Sequence, residues 1–163
     1  MNYHDIKKCD MLNGDGIRCV LFVSGCSHHC DGCHNPETWN PRSGIPFDES
    51  AEGEIREELR KDYVDGITLS GGDPLHEANM NDIYGLVKWI KNEFPDKTIW
   101  IYTGYTYAEL KDDDSRIGEI RRRILGQCDV LVDGRFEKSQ ASEEYPFAGS
   151  LNQNIIYLNK QEL

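Results

Sequence analysis

Four times along this chain a short apolar run stops at a glycine. Arg18 to Ser24 closes on Gly25, Gly66 to Ser70 on Gly71-Gly72, Thr98 to Tyr102 on Thr103-Gly104, and Val130 to Val132 on Asp133-Gly134. Each run is rich in β-branched or aromatic residues and is bounded by turn formers, which is the pattern of a buried strand. Segments of helical spacing lie between them. Asp48 to Lys61 is charged, carries Ile55 and Leu59 four residues apart, and has Asp48 or Ser50 as a candidate cap. Asn81 can cap a helix bearing Ile83, Leu86, Val87 and Ile90 that stops before Pro95, and Ile117, Ile120 and Ile124 share one face of a further helical region. Ile155 to Leu158 adds a late fifth strand. Strands alternating with amphipathic helices imply right-handed crossovers and parallel pairing, hence an α/β fold.

A closed eight-unit barrel takes about 250 residues. The 163 residues here predict an open, partial (β/α) barrel of mostly parallel strands, with residues 1–163 as one domain. Parallel pairing brings the strands' carboxyl ends to one edge, where ligands of such folds bind. The segment after the first strand, Gly71-Gly72-Asp73, Thr103-Gly104 and Asp133-Gly134 are therefore expected to converge.

That segment contains Cys26, Cys30 and Cys33, half of the chain's six cysteines, within eight residues. The amino terminus lacks the apolar centre of a secretory signal, which predicts a cytoplasmic protein with reduced thiols. The longest apolar stretch, Cys19 to Val23, is far short of the roughly 20 residues that span a bilayer. With 18 Lys and Arg against 29 Asp and Glu, the net charge of −11 argues against nucleic acid as a partner. Cys9, Cys19 and Cys128 are scattered and read as small buried residues, Cys9 being also a candidate fourth ligand.

Three thiolates spaced four and three residues apart in a loop can wrap one inorganic centre. A four-iron, four-sulfide cluster that carries electrons uses a cysteine at each iron, so three local ligands leave one iron able to bind a small molecule. Zinc held by three cysteines and one of His28, His29 or His34 remains open, as does a Cys30-x-x-Cys33 redox pair. Gly71-Gly72-Asp73-Pro74 reads as a plain turn, or as a place where backbone approaches a ligand closely and Asp73 accepts from a ligand ammonium.

The run Cys26-Ser27-His28-His29-Cys30-Asp31-Gly32-Cys33 resembles the cluster motif of the radical S-adenosylmethionine enzymes, and Ser70-Gly71-Gly72-Asp73-Pro74 is similar to their second-strand motif. Within that superfamily, Asn13-Gly14-Asp15-Gly16-Ile17-Arg18, Cys33-His34-Asn35, Thr38-Trp39, Thr103-Gly104-Tyr105, Val132-Asp133-Gly134 and Gly149-Ser150-x-Asn152-Gln153 resemble the activators of anaerobic ribonucleoside-triphosphate reductases. The resemblance implies a [4Fe-4S] cluster on Cys26, Cys30 and Cys33, with S-adenosylmethionine chelating the open iron. It implies Gly32, Cys33 and His34 beside the adenosyl group, and Gly71, Gly72 and Asp73 at the methionyl ammonium. No side chain acts as a catalytic acid or base. An electron from an external donor such as reduced flavodoxin would cleave the sulfonium, and the resulting 5′-deoxyadenosyl radical would take hydrogen from a glycine of the reductase large subunit.

Gly32 stands where most radical enzymes have an aromatic residue, His34 where tyrosine is frequent, and Asp15 where proline is frequent. Two rival readings stay open at this level. One is an activator of another glycyl-radical enzyme such as pyruvate formate-lyase, and the other is a zinc-stabilised binding module without catalysis. Glu54, Glu57 and Glu58 read as a solvated helix face, with docking to a basic surface of the reductase as the alternative.

Overall fold

The structure, a computed structural model, describes residues 1–158. Its strands are β1 (Asn2–Asp10), β2 (Arg18–Val23), β3 (Ile45–Pro46), β4 (Gly66–Gly71), β5 (Thr98–Tyr102), β6 (Val130–Asp133) and β7 (Asn154–Tyr157). Its α-helices are α1 (Glu49–Leu59), α2 (Met80–Glu93), α3 (Tyr107–Asp112) and α4 (Arg116–Leu125). The strands form one sheet in the order β3-β1-β2-β4-β5-β6-β7. β2, β4, β5 and β6 pair in parallel, while β1 with β2, β1 with β3, and β6 with β7 are antiparallel. The architecture is thus a mixed, open α/β sheet, and the expected parallel strands form only its centre.

Side chains of period two divide the sheet into two faces. Cys19, Leu21 and Val23 of β2, Ile67 and Leu69 of β4, Ile99 and Ile101 of β5 and Leu131 of β6 join the main core. Ala51, Ile55 and Leu59 of α1, Ile83, Leu86, Val87 and Ile90 of α2, and Ile124 and Leu125 of α4 complete it. The other face, with Arg18, Phe22, Thr68, Ser70, Trp100 and Tyr102, has no α-helix over it among the described residues. Trp100, Val130 and Val132 gather Tyr102, Phe147, Ala148 and Ile155 there into a second, smaller apolar cluster.

Asp48 caps α1 by accepting from the amides of Ser50 and Ala51. α2 starts at Met80, so the cap position falls at Asn79 and the expected cap Asn81 lies inside the helix. The side chain of Asn79 instead donates to the carbonyls of Ser24 and Asp73, tying the ends of β2 and β4 together. The helical region around Ile117 divides into α3 and α4, each opened by a hydroxyl cap, Thr106 and Ser115. Of its three isoleucines, Ile124 is fully buried, whereas Ile117 and Ile120 pack at the core's margin.

Three features differ from the sequence reading. β1 was not expected, because register shifts between Tyr3 and Asp5 and between Lys7 and Asp10 bury Tyr3 and Ile6 three residues apart and erase the alternation that marks a strand. β7 is antiparallel to β6, since the connection holds only a single 3-10 turn, Lys138–Gln140, and no α-helix to carry the chain back to the other end. Cys9 is exposed and holds a left-handed backbone, φ 53°, at the edge of the sheet, so it is not a small core residue. Cys19 and Cys128 are fully buried, as expected.

Candidate functional site

The carboxyl ends of β2, β4, β5 and β6 surround a cavity of about 890 Å³. Cys26, Cys30 and Cys33 line it together with His34, Gly71, Gly72, Thr103, Gly104 and Gly134. Phe22, Ser70 and Tyr102 extend its wall along the face left bare by the helices. The convergence expected from parallel pairing is present, except that Asp133 stays outside. Its buried carboxylate accepts from the amides of Tyr107 and Asn154, which joins α3 to β7.

The glycine pair is dictated first by packing. Gly71 has φ +99°, and a Cβ there would come within 2.6 Å of the Val23 amide nitrogen. A Cβ on Gly72 would meet the Gly25 carbonyl oxygen at 2.6 Å. That close approach lets the Gly72 amide donate to Val23 and the Asp73 amide to Gly25, both at 2.7 Å. The cysteine-bearing loop is thereby knitted to β4 at its first residue.

Asp73 lies immediately behind this wall, 1% exposed, with its carboxylate fully engaged. Oδ1 accepts from the Leu75 amide at 2.8 Å, and Oδ2 from the Gly104 amide at 3.1 Å. The Thr103 hydroxyl bridges both oxygens at 3.0 and 2.9 Å. His28 Nε2 donates to Oδ2 at 2.7 Å, the imidazole being the donor because an ionised carboxylate only accepts. This accounts physically for an otherwise costly buried charge.

The long connection from Gly134 to Gln153 closes the cavity's other side. Gln153 clamps it, accepting from the amides of Gly149 and Ser150 and donating to the Gly134 carbonyl. Asn152 donates to the Arg135 carbonyl, and Ser150 accepts from the Glu137 amide. Phe136 on this segment stacks against His34, ring centres 4.9 Å apart. Gly32, with φ +72°, is exposed beside Lys138 and Phe136 at the rim rather than on the cavity wall. Phe136, Tyr102 and Phe147 are cavity residues that the sequence reading did not single out, and His28, also on the wall, was named there only as a candidate zinc ligand. Its place between two cysteines was the local signal for His28, and the other three carried none.

The thiols of Cys26, Cys30 and Cys33 are free and partly exposed to this cavity. Burial pushes the Cys26 thiol up to about 11, while the backbone amides of His28 and His29 donate to its sulfur and pull the other way. The Asn35 amide donates to Cys33 Sγ at 3.4 Å. Amides aimed at cysteine sulfurs are the hydrogen bonds that stabilise thiolates around an iron–sulfur cluster. Among the described residues, no three His, Cys, Asp or Glu side chains converge on one ion, the arrangement that a single zinc needs. Thiolates that each bind a different iron need no such convergence. Cys9 does not line the cavity: it lies in β1 between Lys7, opposite Val20, and Asp10, opposite Arg18, with its thiol 3.8 Å from Glu58.

A family described as a 4Fe-4S single cluster domain matches residues 12–156. The chain is 46% identical over 159 residues to an anaerobic ribonucleoside-triphosphate reductase-activating protein of Pasteurella multocida, covering 96% of this chain and 97% of that protein. It is 42% identical over 155 residues to the protein of that name from Enterobacteria phage T4, covering 95% and 93%. The Escherichia coli K12 protein of the same name is 42% identical over 160 residues, covering 97% and 99%.

Proposed function

The chain belongs to the anaerobic ribonucleoside-triphosphate reductase-activating proteins, and from that membership we propose that it activates such a reductase by generating a glycyl radical on it. The observation that carries the reading is the placement of Cys26, Cys30 and Cys33 with the Gly71-Gly72 turn around one cavity. In this reading, Cys26, Cys30 and Cys33 hold three irons of a [4Fe-4S] cluster and leave the fourth to S-adenosylmethionine. A cluster held there would supply the single electron for reductive C–S cleavage of the sulfonium, the chemistry that would permit hydrogen abstraction from a reductase glycine.

The chain's own residues bind, orient and shield. The carbonyls of Gly71 and Gly72 are the acceptors proposed for the methionyl ammonium, with Asp73 fixing them from behind, because its oxygens are already occupied. His34, supported by Phe136, and Cys33 border the adenosyl group, with Gly32 at the rim. The segment from Gly134 to Gln153 excludes water from the sheet face. The open sheet supports a partial barrel of the radical S-adenosylmethionine type, read as one domain. An external one-electron donor such as reduced flavodoxin is part of the proposal, as is a cytoplasmic setting. No helix among the described residues is long and apolar enough to cross a membrane.

The test is anaerobic incubation of the reconstituted chain with S-adenosylmethionine, a strong reductant and the reductase. Matched yields of 5′-deoxyadenosine and glycyl radical support the proposal, and Cys30→Ala abolishes both. A radical formed on pyruvate formate-lyase and not on the reductase overturns it.

A further inference from the structure

His28 sits midway between Cys26 and Cys30, yet its side chain is only 6% exposed and is turned into the protein. Nε2 is bound to Asp73 at 2.7 Å, and the ring packs edge-on against Tyr105 with centres 4.5 Å apart. Tyr105 is itself fixed from behind. The Arg121 guanidinium lies 4.1 Å over its ring, donates to its hydroxyl at 2.8 Å, and donates to the Leu75 carbonyl at 3.1 Å. The remaining side of the slot is Gly104, where any Cβ would collide with the imidazole. His29 turns the other way through a left-handed backbone, φ 49°, and stacks on Trp39 with ring centres 4.6 Å apart.

We propose that His28 is a positioning residue: its imidazole, locked among Asp73, Gly104 and Tyr105, holds the turn from Cys26 to Cys30 against the ends of β4 and β5, and so sets how those two cysteines present themselves to the cluster. The proposal rests on the reading of Cys26, Cys30 and Cys33 as cluster ligands. The Cys26–Cys30 segment has no regular secondary structure. Beyond the ring, the segment is anchored at its start by the backbone bonds from Gly25 and Cys26 to Thr38 and Trp39 and from Asp73 to Gly25, and further on by His29 against Trp39. The same carboxylate that receives His28 also orders the Thr103-Gly104 turn, so a single buried charge aligns the cysteine loop with two strand ends. Supporting groups of this kind around a metal centre change its affinity by about 10- to 100-fold when removed.

The experiment compares wild type, His28→Ala, His28→Gln, Gly104→Ala and the double variant His28→Ala with Gly104→Ala. Each is measured as the cluster-free chain by thermal unfolding. After anaerobic reconstitution, each is measured by iron retention against a chelator and by electron paramagnetic resonance of the reduced cluster. His28→Ala and Gly104→Ala are each expected to lose about 10-fold in cluster retention and to broaden the reduced spectrum. His28→Gln, whose amide nitrogen reaches the place of Nε2, restores most of the retention. The double variant is no worse than His28→Ala, because the added methyl fills space the ring has left.

Retention and spectrum unchanged in His28→Ala overturn the inference while leaving the cluster reading intact. Additive losses in the double variant, or no rescue by Gln, also overturn it, the latter pointing to His28 as an iron ligand. Unfolding of all the cluster-free variants assigns His28 to the stability of the fold instead. A wild-type chain that takes up no iron and sulfide overturns the cluster reading and this inference with it.

Discussion

Tyr102 donates its hydroxyl to the carbonyl of Phe147 at 2.6 Å. The bond joins the end of β5 to the segment that crosses the helix-free face of the sheet, where the Phe147 ring meets Trp100 edge-on at 5.4 Å. Phe147 holds a left-handed backbone, φ 62°, which a non-glycine residue keeps only when its surroundings enforce it. Tyr102→Phe therefore lowers the stability of the cluster-free chain by about 1 kcal/mol and speeds limited proteolysis between residues 141 and 149. Unchanged proteolysis would contradict this role for the Tyr102 hydroxyl.

Arg18 lies buried at the opposite end of the sheet. Its guanidinium donates to the Thr68 and Thr98 hydroxyls and to the carbonyls of Asp15, Ile67 and Thr98, and lies over Trp100. Burial pulls its pKa down to about 10. Lysine carries one nitrogen and cannot fill this planar array of acceptors, so Arg18→Lys costs about 3 kcal/mol. Urea unfolding of the cluster-free chain measures the loss, which shows as a lower midpoint at unchanged slope.

Asp10 supplies the pH dependence. Burial raises its pKa, but Lys7, Asn13 and the amides of Leu12 and Asn13 outweigh that and leave it below the ordinary 3.8. A carboxylate depressed in the folded state contributes stability that is fully present above its unfolded value and is lost as pH falls through the lower folded value. The wild-type melting temperature therefore falls as pH drops below about 4. Asp10→Asn is less stable at neutral pH and has a flatter acid limb, and parallel curves for the two proteins would contradict the assignment.

Cys9→Ser leaves iron and sulfide content unchanged after reconstitution, because Cys9 is exposed away from the cavity. Loss of one iron per chain in this variant would mean that Cys9 reaches the cluster and closes its fourth corner.

The parallel strands were readable because residues 18–24, 66–70, 98–102 and 130–132 are short runs rich in β-branched and aromatic residues that stop at glycine. β1 was not, since its bulges break the period-two pattern. The clustering of the three cysteines was legible in their spacing, whereas the glycine turn alone read equally as a plain turn and took its expected role from the resemblance. The role of Asp73 was not: its type suggests an acceptor for a ligand, and only the fold reveals that His28, Thr103, Gly104 and Leu75 already occupy it. In the same way, Asn13-Gly14-Asp15-Gly16 and Gly149 to Gln153 read as motifs. The structure makes the first a cradle for Arg18 and Thr68 and the second a clamp on the covering segment.

The central claim is that the polypeptide leaves one iron for S-adenosylmethionine. It is tested most directly by electron paramagnetic resonance of the anaerobically reduced protein, titrated with S-adenosylmethionine. The account predicts that the cluster spectrum shifts to a new, saturable form on addition, equally in wild type and Cys9→Ser. A spectrum that stays unchanged with S-adenosylmethionine in excess would contradict it.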